Sequence, residues 1–232
     1  MKPPVSAPIS DFRAFSVVEL LVVIGILATL SIAAIPSIGA LKGAVNINKA
    51  TAEIATTLEL ARIYAMAHQS YVRIAIADVP AANELDGSTV ILALNSADGT
   101  LTAASAADMA DGTKWPAISR PLVLRNLEVR GDLNTSNPST INDARPSNSD
   151  IDDFQRSVPG FGNTSFTSFV QFAPDGQAYV NTGSPARNVA LGLDKRGAQG
   201  GQNPFIIRVS GNNGSVRILR KEDGVSRSSS NS

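Results

Sequence analysis

The chain has no cysteine. Disulfides, thiolate metal centres and cysteine nucleophiles are thereby excluded, and the redox compartment is left open. Histidine is nearly as scarce: His68 stands alone, so no metal site can use two imidazoles, and one side chain is available as a neutral-pH general base. Aromatic residues make up 5% of the chain, too few to interleave with a basic surface as a stacking platform for single strands. Net charge is also missing. Twenty basic side chains balance twenty acidic ones, so no global field draws the protein toward nucleic acid or anionic lipid. The glycine-rich stretch 197–201 (GAQGG) lacks the lysine and following serine or threonine of a phosphate-binding loop, and no nucleophile-elbow motif occurs. These gaps lead to the expectation of a protein that is not an enzyme, with no catalytic residues, no cofactor and no metal.

What is present begins with bulk: 232 residues at 43% hydrophobic content suffice for a buried core. Between Arg13 and Lys42 the run AFSVVELLVVIGILATLSIAAIPSIGAL carries one ionisable group, Glu19. As a helix it is long enough to span a bilayer, and its apolar residues surround the axis instead of lying on one face. A carboxylate in hydrocarbon costs roughly 2.5–3.5 kcal/mol on insertion scales, so Glu19 needs a partner or a place near the headgroups. Competing readings are a buried core helix, a plain single-pass anchor, and an export signal cleaved near Ser31-Ile32-Ala33. The leading MKPPVSAPISDFRA has only Lys2, Asp11 and Arg13 as charged residues, and an acid early in the apolar run is foreign to an export signal.

Ala14-Phe15-Ser16-Val17-Val18-Glu19-Leu20-Leu21-Val22-Val23-Ile24 resembles the prepilin cleavage and methylation motif of type IV pilins, pseudopilins and their relatives. The resemblance implies a leader, 1–14, removed between Ala14 and Phe15 by a prepilin peptidase that then N-methylates Phe15. The position before the cut, usually glycine in that family, is Ala14. Glu19 falls where the family has its glutamate and Pro36 where many members have a helix-kinking proline. The family's glutamate faces the freed N-terminal amine of a neighbouring subunit, which implies an assembly role for Glu19. Pro36 lacks an amide donor and clashes with the preceding turn, allowing the helix to bend.

After Pro36 helical spacing persists but turns amphipathic. Ile47, Ile54, Leu58, Ala61, Ala65 and His68 keep a three-and-four rhythm, with Lys49, Glu53, Glu59 and Arg62 expected on a solvated face. His68 is thus expected at the packed face near the helix end. From residue 71 the period falls to two: Tyr71 to Ala77, Thr89 to Leu94, Leu122 to Arg130, Ser168 to Ala173, Asn188 to Leu193, Phe205 to Ser210 and Ser215 to Arg220 read as strands. Gly211-Asn212-Asn213-Gly214 makes the last two a hairpin.

This order resembles the H-type minor pseudopilins of type II secretion and related minor pilins, through Leu58-Glu59-Leu60-Ala61-Arg62, the turn Phe172-Ala173-Pro174-Asp175-Gly176, and the closing strand pair with Val216-Arg217. It implies an α+β, pilin-like fold in which a long N-terminal helix, its first half transmembrane, packs on an antiparallel sheet. The expected organisation is a leader 1–14, a membrane or filament-core half-helix 15–41, an amphipathic half 42–69, a sheet domain 70–221 with long loops near 97–121 and 131–164, and a disordered tail 222–232. Within the second loop, Asp150, Asp152 and Asp153 lack the glycine and distal glutamate of an EF-hand and read as a solvated acidic loop. The implied function is a minor pilin or pseudopilin subunit of a type II secretion pseudopilus or type IV pilus. Its implied location is the bacterial inner membrane, single-pass, with the C-terminal domain periplasmic. Implied partners are the prepilin peptidase, other pilins or pseudopilins, the inner-membrane assembly platform and membrane lipid. The alternative is a DNA-binding minor pilin for DNA uptake, with Arg208, Arg217, Arg220 and Lys221 as nucleic-acid contacts and Arg227 beside them.

Overall fold

Four-residue and three-residue steps along one helix explain where the core begins. The computed structural model of the chain describes residues 16–79, 87–100, 105–135, 143–146, 153–180, 184–196 and 204–227, and between 29 and 46 the backbone alone. Helix α1 is assigned over Val17–His68. The chain divides into two compact units, Met1–Val45 and Asn46–Ser232, so α1 belongs to no single body and its parts are taken separately.

In the second unit Ala50, Ile54, Leu58, Ala61 and Ala65 are at most 5% exposed and form one stripe of α1. Three alanines in that stripe let the helix backbone approach the strands closely. The helix stops where Gln69 takes a left-handed φ of 50°, and the Ser70 N–H donates to the Ala65 carbonyl at 3.1 Å, satisfying one of the terminal acceptors.

Strand β1 (Val72–Val79) leaves this cap and pairs antiparallel along its length with β2 (Ser88–Asn95). Strand β3 (Leu122–Arg125) joins the outer side of β2, and β8 (Ser168–Phe172) with β9 (Ala178–Tyr179) extends the other side, giving the order β3-β2-β1-β8-β9. Val72, Ile74 and Ile76 face the helix stripe, as period two requires, together with Ile91, Val170 and Phe172. The expected strand Leu122 to Arg130 is broken at Asn126. A left-handed φ of 59° there turns the chain out of the first sheet, and β4 (Leu127–Val129) enters a second one. The Thr89 hydroxyl holds the crossover by donating to the Leu127 carbonyl at 2.9 Å. The second sheet runs β12-β11-β10-β4, with β10 at Asn188–Lys195, β11 at Phe205–Ser210 and β12 at Val216–Leu219. Its Val189, Leu191, Leu193, Phe205, Ile207 and Val209 complete the core under α1. The β11–β12 hairpin expected around Gly211 to Gly214 is present.

Both expected loops carry structure. In 97–121, Ser105 caps helix α2 (Ala106–Ala110) by accepting from the Asp108 N–H at 3.2 Å, and Met109 and Trp115 are buried. In 131–164, β5 (Leu133–Thr135) precedes a hairpin of β6 (Phe154–Val158) and β7 (Gly162–Phe166). Met109, Trp115, Phe154, Val158 and Phe166 cover the face of the first sheet that α1 does not touch. The expected tail also folds in part: β13 (Val225–Arg227) pairs with β5, and Val225 is buried with Leu133, Ala190, Ile206 and Leu219. Residues 228–232 lie outside the described residues.

The expected fold class is therefore corrected. Among the described residues strand outweighs helix, and the strands form two main antiparallel sheets and two small ones, not one sheet under a long helix. Among the described residues no helix is long and apolar enough to cross a membrane.

Candidate functional site

The first unit presents an unusual surface. Val17, Val18, Leu20, Leu21, Val22, Val23, Ile24, Ile26 and Leu27 are all exposed, from 45% at Val23 to 76% at Val17. Fully burying a side chain of this size contributes about 1.5–3 kcal/mol, so covering the group is worth on the order of 10 kcal/mol. Ser16 begins the helix: its hydroxyl accepts from the Val18 N–H at 3.3 Å and its carbonyl from the Leu20 N–H at 3.1 Å. Glu19 lies exposed in this first turn, where the helix dipole favours an anion. It is the one ionisable side chain among the described residues of this surface. Ala14 and Phe15, the expected processing pair, lie outside the described residues; at Pro36 the helical assignment continues without a break, and its side chain is not described.

The four residues proposed to touch nucleic acid do not share one environment. Arg208 on β11 is held by Asp143: its Nε lies 2.7 Å from Oδ2, with the arginine 18% and the carboxylate 3% exposed. Its charge is thus largely neutralised within the fold. Arg217 sits directly across from Arg208 in the β11–β12 register and is exposed. Arg220 donates to the Asn48 side chain at 2.7 Å, and Arg220 and Lys221 are followed at once by the exposed Glu222 and Asp223. Acid beside base cancels the field that counterion release needs.

His68 is exposed and stacks on Tyr64 at 4.0 Å between ring centroids, correcting its expected place on the packed face. The stripe runs through Ala65 and ends one position short of it. Glu59 and Arg62 are corrected in the opposite sense: both are half-buried, and Glu59 accepts from the Val216 N–H of β12 at 3.3 Å. Arg62 lies against Gly176 and Gly214, so the two turns that carry these glycines close over the helix.

One functional-type group escaped the sequence pattern. Arg73 alternates with Val72 and Ile74 on β1, and it is 0% exposed because α2, Trp115 and the β6–β7 hairpin cover that face. Its Nε donates to Gln171 Oε1 at 2.8 Å, its guanidinium lies 4.4 Å over the Trp115 ring, and its Nη2 has no partner among the described residues. Burial pushes its pKa down to about 10. Among the described residues no carboxylate accompanies it, so the group is an electrostatic burden and not half of an ion pair.

Among the described residues no three His, Asp or Glu side chains gather as metal ligands. Comparison of the chain with protein-family profiles, with curated proteins and with solved structures finds no match.

Proposed function

We propose that the chain is a minor pilin or pseudopilin, a subunit of a type II secretion pseudopilus or type IV pilus. The observation that carries this reading is the exposed apolar surface Val17–Leu27 with Glu19 as its one charge. Such a surface is not viable in water and requires lipid or like neighbours. A prepilin peptidase cleaves between Ala14 and Phe15 and methylates the new amine. That amine, on a neighbouring subunit, neutralises Glu19 as the apolar segments of successive pilins stack on the assembly platform, and the pairing selects register. Before assembly the apolar segment holds the chain at the inner membrane with the sheet domain on the periplasmic side. The tie between Arg208 and Asp143 speaks against DNA uptake as the role of the C-terminal arginines.

Substituting Glu19→Ala is expected to preserve membrane association and abolish incorporation into filaments, read by shearing and fractionation. Mass spectrometry of the mature N-terminus is expected to begin at a methylated Phe15. Incorporation of the variant at the normal level, or a mature chain retaining its first fourteen residues, would refute the proposal.

A further inference from the structure

Strand β3 ends the first sheet, and its outer side opens into a groove of about 520 Å³. One wall is α1 at Lys49, Ala50 and Glu53; the other is the β6–β7 turn, Pro159 to Phe161; the floor is Val123 to Asn126. Backbone pattern decides what the floor offers. The Asn126 N–H donates to the Gly87 carbonyl at 3.2 Å, and alternation then makes Leu124–Thr89 and Leu122–Ile91 the hydrogen-bonded pairs. The N–H and C=O groups of Val123 and Arg125 therefore point away from β2 into the groove. Among the described residues nothing bonds them. Side chains alternate as well: Leu124 packs toward the helix, while Val123 lies on the opposite face.

Charge on the groove is not balanced. Arg125 is exposed with no ion-pair partner among the described residues, Lys49 stands on the helix wall, and the single carboxylate, Glu53, is 3.7 Å from Lys49. We infer that this edge is a β-augmentation site for an extended peptide segment of a partner protein in which apolar and acidic residues alternate. The peptide backbone completes the four free polar groups of Val123 and Arg125; its apolar residues, on the helix side, meet Ala50 and Leu124, and its acids, on the opposite face, answer Arg125. This inference stands apart from the filament proposal, since every residue it uses lies in the unit Asn46–Ser232.

The test uses the full chain in detergent micelles and a fluorescent synthetic peptide of about seven alternating valines and glutamates, with fluorescence anisotropy as readout. Saturable binding is expected, lost when alternate peptide amides are N-methylated and weakened when lysine replaces glutamate. Val123→Pro removes only an outward N–H, which an edge strand tolerates, and is expected to weaken binding about tenfold with the circular dichroism unchanged. Arg125→Glu, which leaves the backbone alone, is expected to reverse the preference from the glutamate to the lysine peptide. No saturable binding, or binding insensitive to both variants, would overturn the inference. So would concentration-dependent dimerisation that Val123→Pro abolishes while the peptide fails to bind, because the occupant would then be a second copy of this chain.

Discussion

Replacing Arg73 by methionine should leave stability within about 1 kcal/mol of the parent, although a fully buried, hydrogen-bonded side chain is being removed. The lowering of its pKa from the usual guanidinium range to about 10 corresponds, at 1.36 kcal/mol per unit, to a cost of about 3 kcal/mol for keeping the charge inside. Unfolded chains hold this proton more tightly than the folded one. The cost is accordingly present in full below pH 10 and is relieved only as pH rises from about 10 toward the usual guanidinium value. Against it stand a charged hydrogen bond to Gln171, about 1.5–3 kcal/mol, and the contact with Trp115, about 1–2 kcal/mol. Methionine removes the burden and both offsets, but strands the buried Gln171 oxygen. The double variant Arg73→Met, Gln171→Leu removes that oxygen too and should exceed the parent by about 1–2 kcal/mol. Urea unfolding of the unit Asn46–Ser232, followed by the fluorescence of Trp115 and by circular dichroism, measures both. A loss above about 3 kcal/mol for Arg73→Met would show that the guanidinium is a net stabiliser, and the desolvation argument would fail.

At the sheet-to-sheet turn, Asn126→Val should cost about 1–2 kcal/mol because a β-branched residue resists the φ of 59°, whereas Asn126→Gly should change little; urea midpoints separate the two. Gly211→Ala would drive a methyl into the Ala186 carbonyl oxygen, a backbone atom that cannot step aside, and should cost about 3 kcal/mol in thermal melts. Hydrogen bonds from Ser96 and Thr100 hold the Asp98 carboxyl down at about 2. The turn it closes is stabilised above the unfolded value of 3.8 and loses that support as pH falls through about 2, so Asp98→Asn should flatten the acid limb of stability against pH over that window.

Where one periodicity decided burial, the sequence was readable. The stripe from Ala50 to Ala65, the face of Val72, Ile74 and Ile76, and the Gly211 to Gly214 hairpin needed only spacing and turn chemistry. Phe154-x-Arg156-x-Val158 carried the same alternation, but it sits beside a polar stretch whose composition reads as loop, and β6 was missed. The break at Asn126 had no local sign, since Leu122 to Arg130 is uniformly strand-forming; the competition between two sheets for that segment decided it. Of the candidate site, Glu19 stood out because a lone acid in an apolar run is costly anywhere. The pairing of Arg208 was not legible, because charge counts omit partners and Asp143 lies 65 residues from it in the chain.

Sequence alone determined the segments that depend on near neighbours: an apolar run with one acid, an amphipathic continuation, and alternating strands with their turns. Tertiary structure decided which side of each strand is dry, which charges are neutralised, and which edge is left open. Period two separates the faces of a strand but does not say whether one or both will be covered, and here α2, Trp115 and the β6–β7 hairpin turned the face around Arg73 into a second core.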